Sequence, residues 1–205
     1  MMILRSSPPS PFGRKVRIAL SLLSFENEVK IEPADTNDAN DSLRRQNPLG
    51  KIPALIAEDG MVYYDSRLIL DYLDTRAGGG KIVPRDAKAR LAALRLQALC
   101  DGILDASILL VYEGRWRPAE HHVAKWVEHQ NGKVARGLAA LEPDPPALSA
   151  NALPDVGQIT LACVLGYGDL RFGGKWRADH PRLVAWLDQF AARVPAYAAT
   201  KVAAQ

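Results

Sequence analysis

Residues 6–15 read SSPPSPFGRK: six serines and prolines in a row, then Phe12, Gly13 and a basic pair. Ser10-Pro11 supplies an N-cap residue followed by proline at the first helical position, where its fixed φ suits a helix and its missing N–H costs nothing. Val16, Ala19, Leu20 and Leu23 follow at i, i+3, i+4 and i+7, one face of that helix. Upstream, residues 2–5 (MILR) suit a short buried strand. The loop therefore delivers the chain from a strand to a helix start, and this junction sets how the following stretch is read.

Working outward, ENEVKIEP (26–33) reads as a second strand, parallel to the first because a helix connects them. Residues 35–47 hold a loop and one short helix. PALIA, EDG and MVYY (53–64) form a hairpin with Asp59-Gly60 in its turn. Asp65-Ser66 caps a helix over 68–76. The order β-α-β-α-β-β-α is that of an α/β thioredoxin-like domain, residues 1–77. GGGKIVP (78–84) breaks it with glycine flexibility and a proline stop. The second domain, 85–205, reads as an all-α helical bundle. A long helix over 87–115 carries Leu96, Leu99, Cys100, Ile103, Ser107, Leu110 and Val111 as its apolar stripe, and a second runs over 118–141. Asp155 and Gln158 have capping-box spacing. The helix they open, VGQITLACVLGYGDL, is apolar on nearly every face and is expected at the centre. HPRLVAWLDQFAARV (180–194) makes an amphipathic final helix.

Composition narrows the function classes. Of 205 residues, 48% are hydrophobic and 24% charged, with a net charge of +3, so a real core is expected. Opposite charges are interspersed without a basic stripe, which argues against nucleic acid. MMIL before Arg5 is too short for a signal sequence, and no apolar run approaches a membrane span, so the expectation is no membrane partner and a cytoplasmic chain. Cys100 and Cys163 fall in apolar helical stretches and read as buried thiols. His121, His122, His129 and His180 have no metal-ligand spacing, so no metal is expected. The four tryptophans, Trp116, Trp126, Trp176 and Trp186, read as packing residues. Gly166-Tyr167-Gly168 lies inside a helix and fails the context of a dinucleotide loop.

Three stretches carry chemistry. A helix N-terminus after the first strand offers partial positive charge and free N–H groups to an anion. Redox members of such folds keep a Cys-x-x-Cys there; here the two positions hold Ser10 and Gly13, so dithiol chemistry is excluded. The place suits a sulfur brought by a substrate, or Ser10 is an N-cap alone, worth about 1 kcal/mol. In NPLGKIP (47–53), Pro53 marks an edge or a turn. A cis Ile52–Pro53 bond turns the Ile52 N–H and C=O toward the Ser10 loop for strand addition; a trans bond is an ordinary turn. Asp65-Ser66 caps a helix, and its hydroxyl and amides also suit a carboxylate, with Asp65 placed for an amine. A ligand with an α-amino acid head, a peptide body and a thiol uses all three.

That ligand is glutathione, and the chain resembles the glutathione S-transferase superfamily over essentially its whole length. The resemblance rests on SPFGRKVRIAL (10–20), NPLGKIPAL (47–55), DSRLILDYL (65–73), DVGQITLACVLGY (155–167) and WRADHPRLVAWLDQF (176–190). It looks most like the bacterial serine- or cysteine-type members. The resemblance implies that Ser10 donates a hydrogen bond to the glutathione thiolate and that Pro53 is cis. It also implies that the backbone of Ile52 pairs with the cysteinyl moiety, that Phe12 and Lys51 flank the tripeptide with Lys51 near the glycyl carboxylate, and that Asp65 and Ser66 hold the γ-glutamyl end. Two departures stand out. Zeta-type members carry Ser-Ser-Cys where this chain has Ser10-Pro11-Phe12, and Gln158 takes a place that is commonly Asp.

By the same resemblance the electrophile site belongs to the long helix, above Ser10. There Asp101, Asp105, Ile108, Tyr112 and Arg115 share a half-polar stripe, which reads equally as a solvated face or a dimer contact. Ile108, Tyr112 and Arg115 are the electrophile-site candidates, and Asp101 is the candidate for reaching a partner subunit's glutathione. The expected function is a dimeric, cytoplasmic glutathione transferase acting in detoxification, which adds the thiolate to a small apolar electrophile. The alternatives are a non-catalytic glutathione- or protein-binding member of the same fold and a glutathione-dependent isomerase or lyase.

Overall fold

A computed structural model describes residues 1–202. The first half runs β1 (Met2–Ser6), α1 (Pro11–Leu22), β2 (Val29–Pro33), α2 (Leu43–Gln46), β3 (Ala54–Ile56), β4 (Val62–Tyr63) and α3 (Ser66–Arg76). The second half is helical: α4 (Ala87–Trp116), α5 (Ala124–Leu141), α6 (Val156–Phe172), α7 (Pro181–Arg193) and α8 (Pro195–Ala199). Strand order is β2-β1-β3-β4. β1 runs parallel to β2, with Leu4 opposite Ile31, and antiparallel to β3, with Leu4 opposite Leu55. Leu4 and Leu55 are both fully buried, so the register is held by the face that must stay dry.

Two buried charges hold the irregular parts in place. The guanidinium of Arg5 donates to Ser42 Oγ (2.6 Å), Gln46 Oε1 (2.7 Å), Asp41 Oδ1 (2.8 Å) and the Pro33 carbonyl (3.1 Å), tying the loop before α2 to the sheet. At the end of α3, buried Asp74 accepts from the amides of Gly80 (2.7 Å), Lys81 (2.9 Å) and Ile82 (2.7 Å). The expected flexible break at 78–84 is therefore a clasp. Gly78, Gly79 and Gly80 all take positive φ, which only glycine adopts cheaply, and so wind the chain around that carboxylate.

α6 is the centre of the helical half, buried without interruption from Val156 to Tyr167. Its capping box is complete: Asp155 accepts from the Gln158 amide (2.9 Å) and the Gln158 side chain accepts from the Asp155 amide (3.0 Å). α4 departs from the stripe expected of it. Leu99 is 38% exposed, whereas Gln97, Asp101 and Leu104 are buried. The expected helix over 118–141 is a 3₁₀ turn, Ala119–His121, followed by α5. No side chain caps either start, so the chain bends at 122–123 instead of continuing as one helix. Trp176 and Trp186 pack in the core, but Trp116 and Trp126 lie on the surface. Cys100 and Cys163 are free and buried, and burial pushes both thiols up, Cys163 to about 11.

Candidate functional site

The N-terminus of α1 is built by three neighbours. Ser10 sits in extended conformation and its Oγ accepts from the Gly13 amide at 3.1 Å, with Pro11 as the first helical residue. That use leaves the hydroxyl proton of Ser10 available to an outside acceptor. The first turn of α1 has no acidic residue, so nothing neutralises the helix's positive end. Gly13 is required by contact, because a Cβ there stands 2.1 Å from Ser6 Oγ at the end of β1.

The second element is the loop before β3. The Ile52–Pro53 peptide is cis. Asn47, 2% exposed, organises the loop: its Oδ1 accepts from the Leu49 amide (3.0 Å), its Nδ2 donates to the Lys51 carbonyl (2.8 Å) and its own carbonyl accepts from Gly50 (2.8 Å). Pro53 is buried, Ile52 half-buried and Lys51 exposed. The 47–53 motif by itself assigns Asn47 no role. Its signal is an Asn two residues before a Leu-Gly turn, the spacing of an Asx turn.

The third is the start of α3. Asp65 is its N-cap and accepts from the Arg67 amide at 2.9 Å. The Arg67 guanidinium also donates to both carboxylate oxygens, to Oδ1 at 3.2 Å and to Oδ2 at 2.7 Å. Burial pushes the Asp65 carboxyl up, but the Arg67 bonds and the charge of Lys15 outweigh it and leave the group below its ordinary value. Ser66 follows as the first helical residue and is buried.

Behind these elements lies a pair absent from the sequence reading. Lys15, fully buried on α1, donates to Asp101 Oδ1 on α4 at 2.7 Å. The other oxygen, Oδ2, is buried without a hydrogen-bond partner among the described residues and stands 4.0 Å from Arg67 Nε. Burial raises the Asp101 carboxyl against the pull of Lys15. Asp101, the candidate for reaching a partner subunit's glutathione, has its Oδ1 bonded within its own chain.

Ser10 also lines a cleft of about 500 Å³ between the 8–11 loop and α6, α7 and α8. Ile108, Tyr112 and Arg115 do not line it. Ile108 is half-buried on α4; Tyr112 and Arg115 are exposed, with the guanidinium 5.3 Å from the tyrosine ring centre. Both lie close enough to Tyr167, which does line the cleft, to bear on the ionisation of its hydroxyl. Among the described residues no group of three His, Cys, Asp or Glu is placed to hold a metal, and no helix is long and apolar enough to cross a membrane.

Residues 4–81 match the glutathione S-transferase N-terminal domain family, and residues 124–189 the C-terminal domain family. The uncharacterised GST-like protein YibF of Escherichia coli K12 is 32% identical over 197 residues, 94% of this chain and 95% of its own. The chain belongs to the glutathione S-transferase family. A glutathione transferase family member of Pseudomonas fluorescens Pf-5, solved with bound glutathione, is 42% identical, with a TM-score of 0.91 over 99% of this chain and 100% of that one. A glutathione S-transferase of Methylobacillus flagellatus, also with glutathione, is 33% identical with a TM-score of 0.90 over the same shares. The maleylacetoacetate isomerase of Pseudomonas aeruginosa is 29% identical over 62% of each chain. The first family match contains all three elements described above. α4, which carries Asp101, Ile108, Tyr112 and Arg115, falls between the two matches.

Proposed function

We propose that this glutathione S-transferase binds glutathione across the three elements and activates its sulfur for transfer to a small electrophile. The observation that carries the reading is Ser10: an N-cap hydroxyl with its proton to spare, at a helix start with no acidic residue in its first turn. The glutathione bound by the Pseudomonas fluorescens and Methylobacillus flagellatus proteins supports the choice of ligand.

A free thiol has a pKa of about 8.5, and each unit removed from it in the site reflects about 1.4 kcal/mol of preference for the thiolate. Ser10 donates to the sulfur, and the α1 amides add their partial charge. The Ile52 backbone pairs with the cysteinyl unit beside the cis Pro53, with Phe12 at its flank. Lys51 faces the glycyl carboxylate, and Asp65 and Ser66 hold the γ-glutamyl end. The thiol proton goes to solvent, the sulfur pair forms a bond to carbon, and the leaving group departs with its electrons. Tyr167, with Ile108, Tyr112 and Arg115 beyond it, forms the electrophile side. The two domains, 1–77 and 85–205, meet at this site, and the active form is a cytoplasmic homodimer serving detoxification.

The isomerase relative favours a second reading, in which glutathione is regenerated instead of consumed. The Ser10-Pro11-Phe12 run counts against it. The test is a thermal shift with millimolar glutathione, followed by turnover of an electrophile panel by wild type and Ser10→Ala. Stabilisation by glutathione with turnover lost in the variant is expected. No shift at millimolar glutathione contradicts the reading.

A further inference from the structure

The cleft that Ser10 lines has a charge that no carboxylate of the described residues balances. Arg14, on the first turn of α1, is buried at its wall. Its guanidinium donates to the Tyr197 carbonyl (2.6 Å) and Thr200 Oγ1 (3.2 Å) and lies 4.1 Å from the Tyr197 ring centre. All three partners are neutral. No carboxylate among the described residues forms an ion pair with it. Arg17, one turn further, is in the same condition: it donates to the Pro8 carbonyl at 2.9 Å and its Nε is buried without a partner. Burial lowers the Arg17 pKa, and the charge of Arg14 lowers it further. The acids of the cleft do not serve Arg14. Asp169 is held by Trp176 Nε1 (3.0 Å) and by Arg177 (2.8 and 2.7 Å), and exposed Asp188 stands on the Arg177 side. Lys201, with no ion pair among the described residues, adds a further cation to the lining. A desolvated cation with only neutral acceptors is costly, and an anion arriving from outside removes that cost.

We propose that this cleft takes the carboxylate of an anionic electrophile, with buried Arg14 as its principal partner and Lys201 at its mouth. The inference rests on the glutathione reading above and narrows its substrate class. Nε and Nη2 of Arg14 are spent on Thr200 and Tyr197, which leaves Nη1 to a carboxylate, while the prolines at 8, 9 and 11, Tyr167 and Leu187 offer apolar walls to the body of the molecule. Because Ser10 borders the same cleft, an electrophile anchored on Arg14 has its reactive carbon on the side of the glutathione sulfur. Arg14 is then a substrate-binding residue, distinct from the thiolate donor.

The test compares two conjugates that differ only in charge, S-(4-carboxy-2-nitrophenyl)glutathione and its 4-carbamoyl counterpart, titrated calorimetrically at low salt against wild type. The carboxylate is expected to bind about tenfold more tightly, the value of one hydrogen-bonded charge, and the preference should fall as salt is raised. Arg14→Gln should bring the ratio close to one, and Lys201→Ala should reduce it in part. Arg14 also docks α8, so if Arg14→Gln does not fold, the wild-type ratio and its salt dependence decide. Equal binding by wild type, tighter binding of the amide, or an unchanged ratio in folded Arg14→Gln overturns the proposal. If glutathione itself stabilises the protein but neither conjugate binds, the carboxylate cleft fails and the glutathione reading stands. If glutathione gives no shift, both fail.

Discussion

Lys15 Nζ and Asp101 Oδ1 lie 2.7 Å apart in the interior, joining the helix that opens the thioredoxin-like half to the long helix of the second. Removing one partner strands the other's charge, which typically costs about 3–5 kcal/mol, whereas replacing both with apolar groups of similar size is often close to neutral. Lys15→Met should therefore destabilise strongly, and Lys15→Met/Asp101→Leu should recover most of the loss. The variant's pH dependence has a definite sign. Burial already raises the Asp101 carboxyl, and losing Lys15 raises it further. A group with a raised folded pKa gives its stability below the unfolded value and loses it as pH rises. Denaturant melts of Lys15→Met should thus show more stability at pH 5 than at pH 8; equal values contradict this account.

Gly13 and Ser6 form a second coupled pair. A methyl on Gly13 meets Ser6 Oγ at 2.1 Å but the Ser6 Cβ at 3.4 Å. Gly13→Ala should cost about 1–3 kcal/mol through overpacking. Adding Ser6→Ala removes the colliding oxygen, itself buried without a partner, and should return most of that cost. Thermal denaturation of the two single variants and the double variant measures the coupling; strict additivity contradicts the contact.

The Asn47 side chain bonds within its own loop, so its loss should appear in ligand binding more than in chemistry. Asn47→Ala frees the Lys51 carbonyl and the Leu49 amide, a loss of about 1–2 kcal/mol. The expected result is a KM for glutathione raised roughly tenfold, with kcat close to wild type. A fall in kcat alone contradicts a positioning role for the loop.

Asp65 governs an acid limb. Its carboxyl lies below the ordinary value because the Arg67 bonds outweigh burial. Its stabilisation is present above the unfolded carboxylate pKa of about 4 and is lost as pH falls through the depressed folded value. Asp65→Asn should flatten the stability curve on that acid side, in melts at fixed ionic strength.

The first helix, its cap, the order of elements in the first half and the buried α6 were legible because each rests on local chemistry: Ser10-Pro11, turn residues between short runs, Asp155 with Gln158, an all-apolar run. The rest depends on partners far away in sequence. Asp101 shares a stripe with Asp105 and Tyr112, yet it is buried because Lys15, 86 residues earlier, meets it. α8 is a five-residue helix too short to announce itself, held through Arg14. The 78–84 glycines look like slack until Asp74 is found inside their turn. The carboxylate-ready face of Arg14 was hidden for the same reason, since a basic residue on a helix does not declare whether an acid faces it.

The most direct measurement is the thiol pKa of bound glutathione, followed by thiolate ultraviolet absorbance across pH in wild type and Ser10→Ala. Wild type should ionise the sulfur one to two units below its free value of about 8.5, and the alanine variant should return most of that distance. The same pKa in both proteins, or no depression in wild type, contradicts a thiolate held by Ser10.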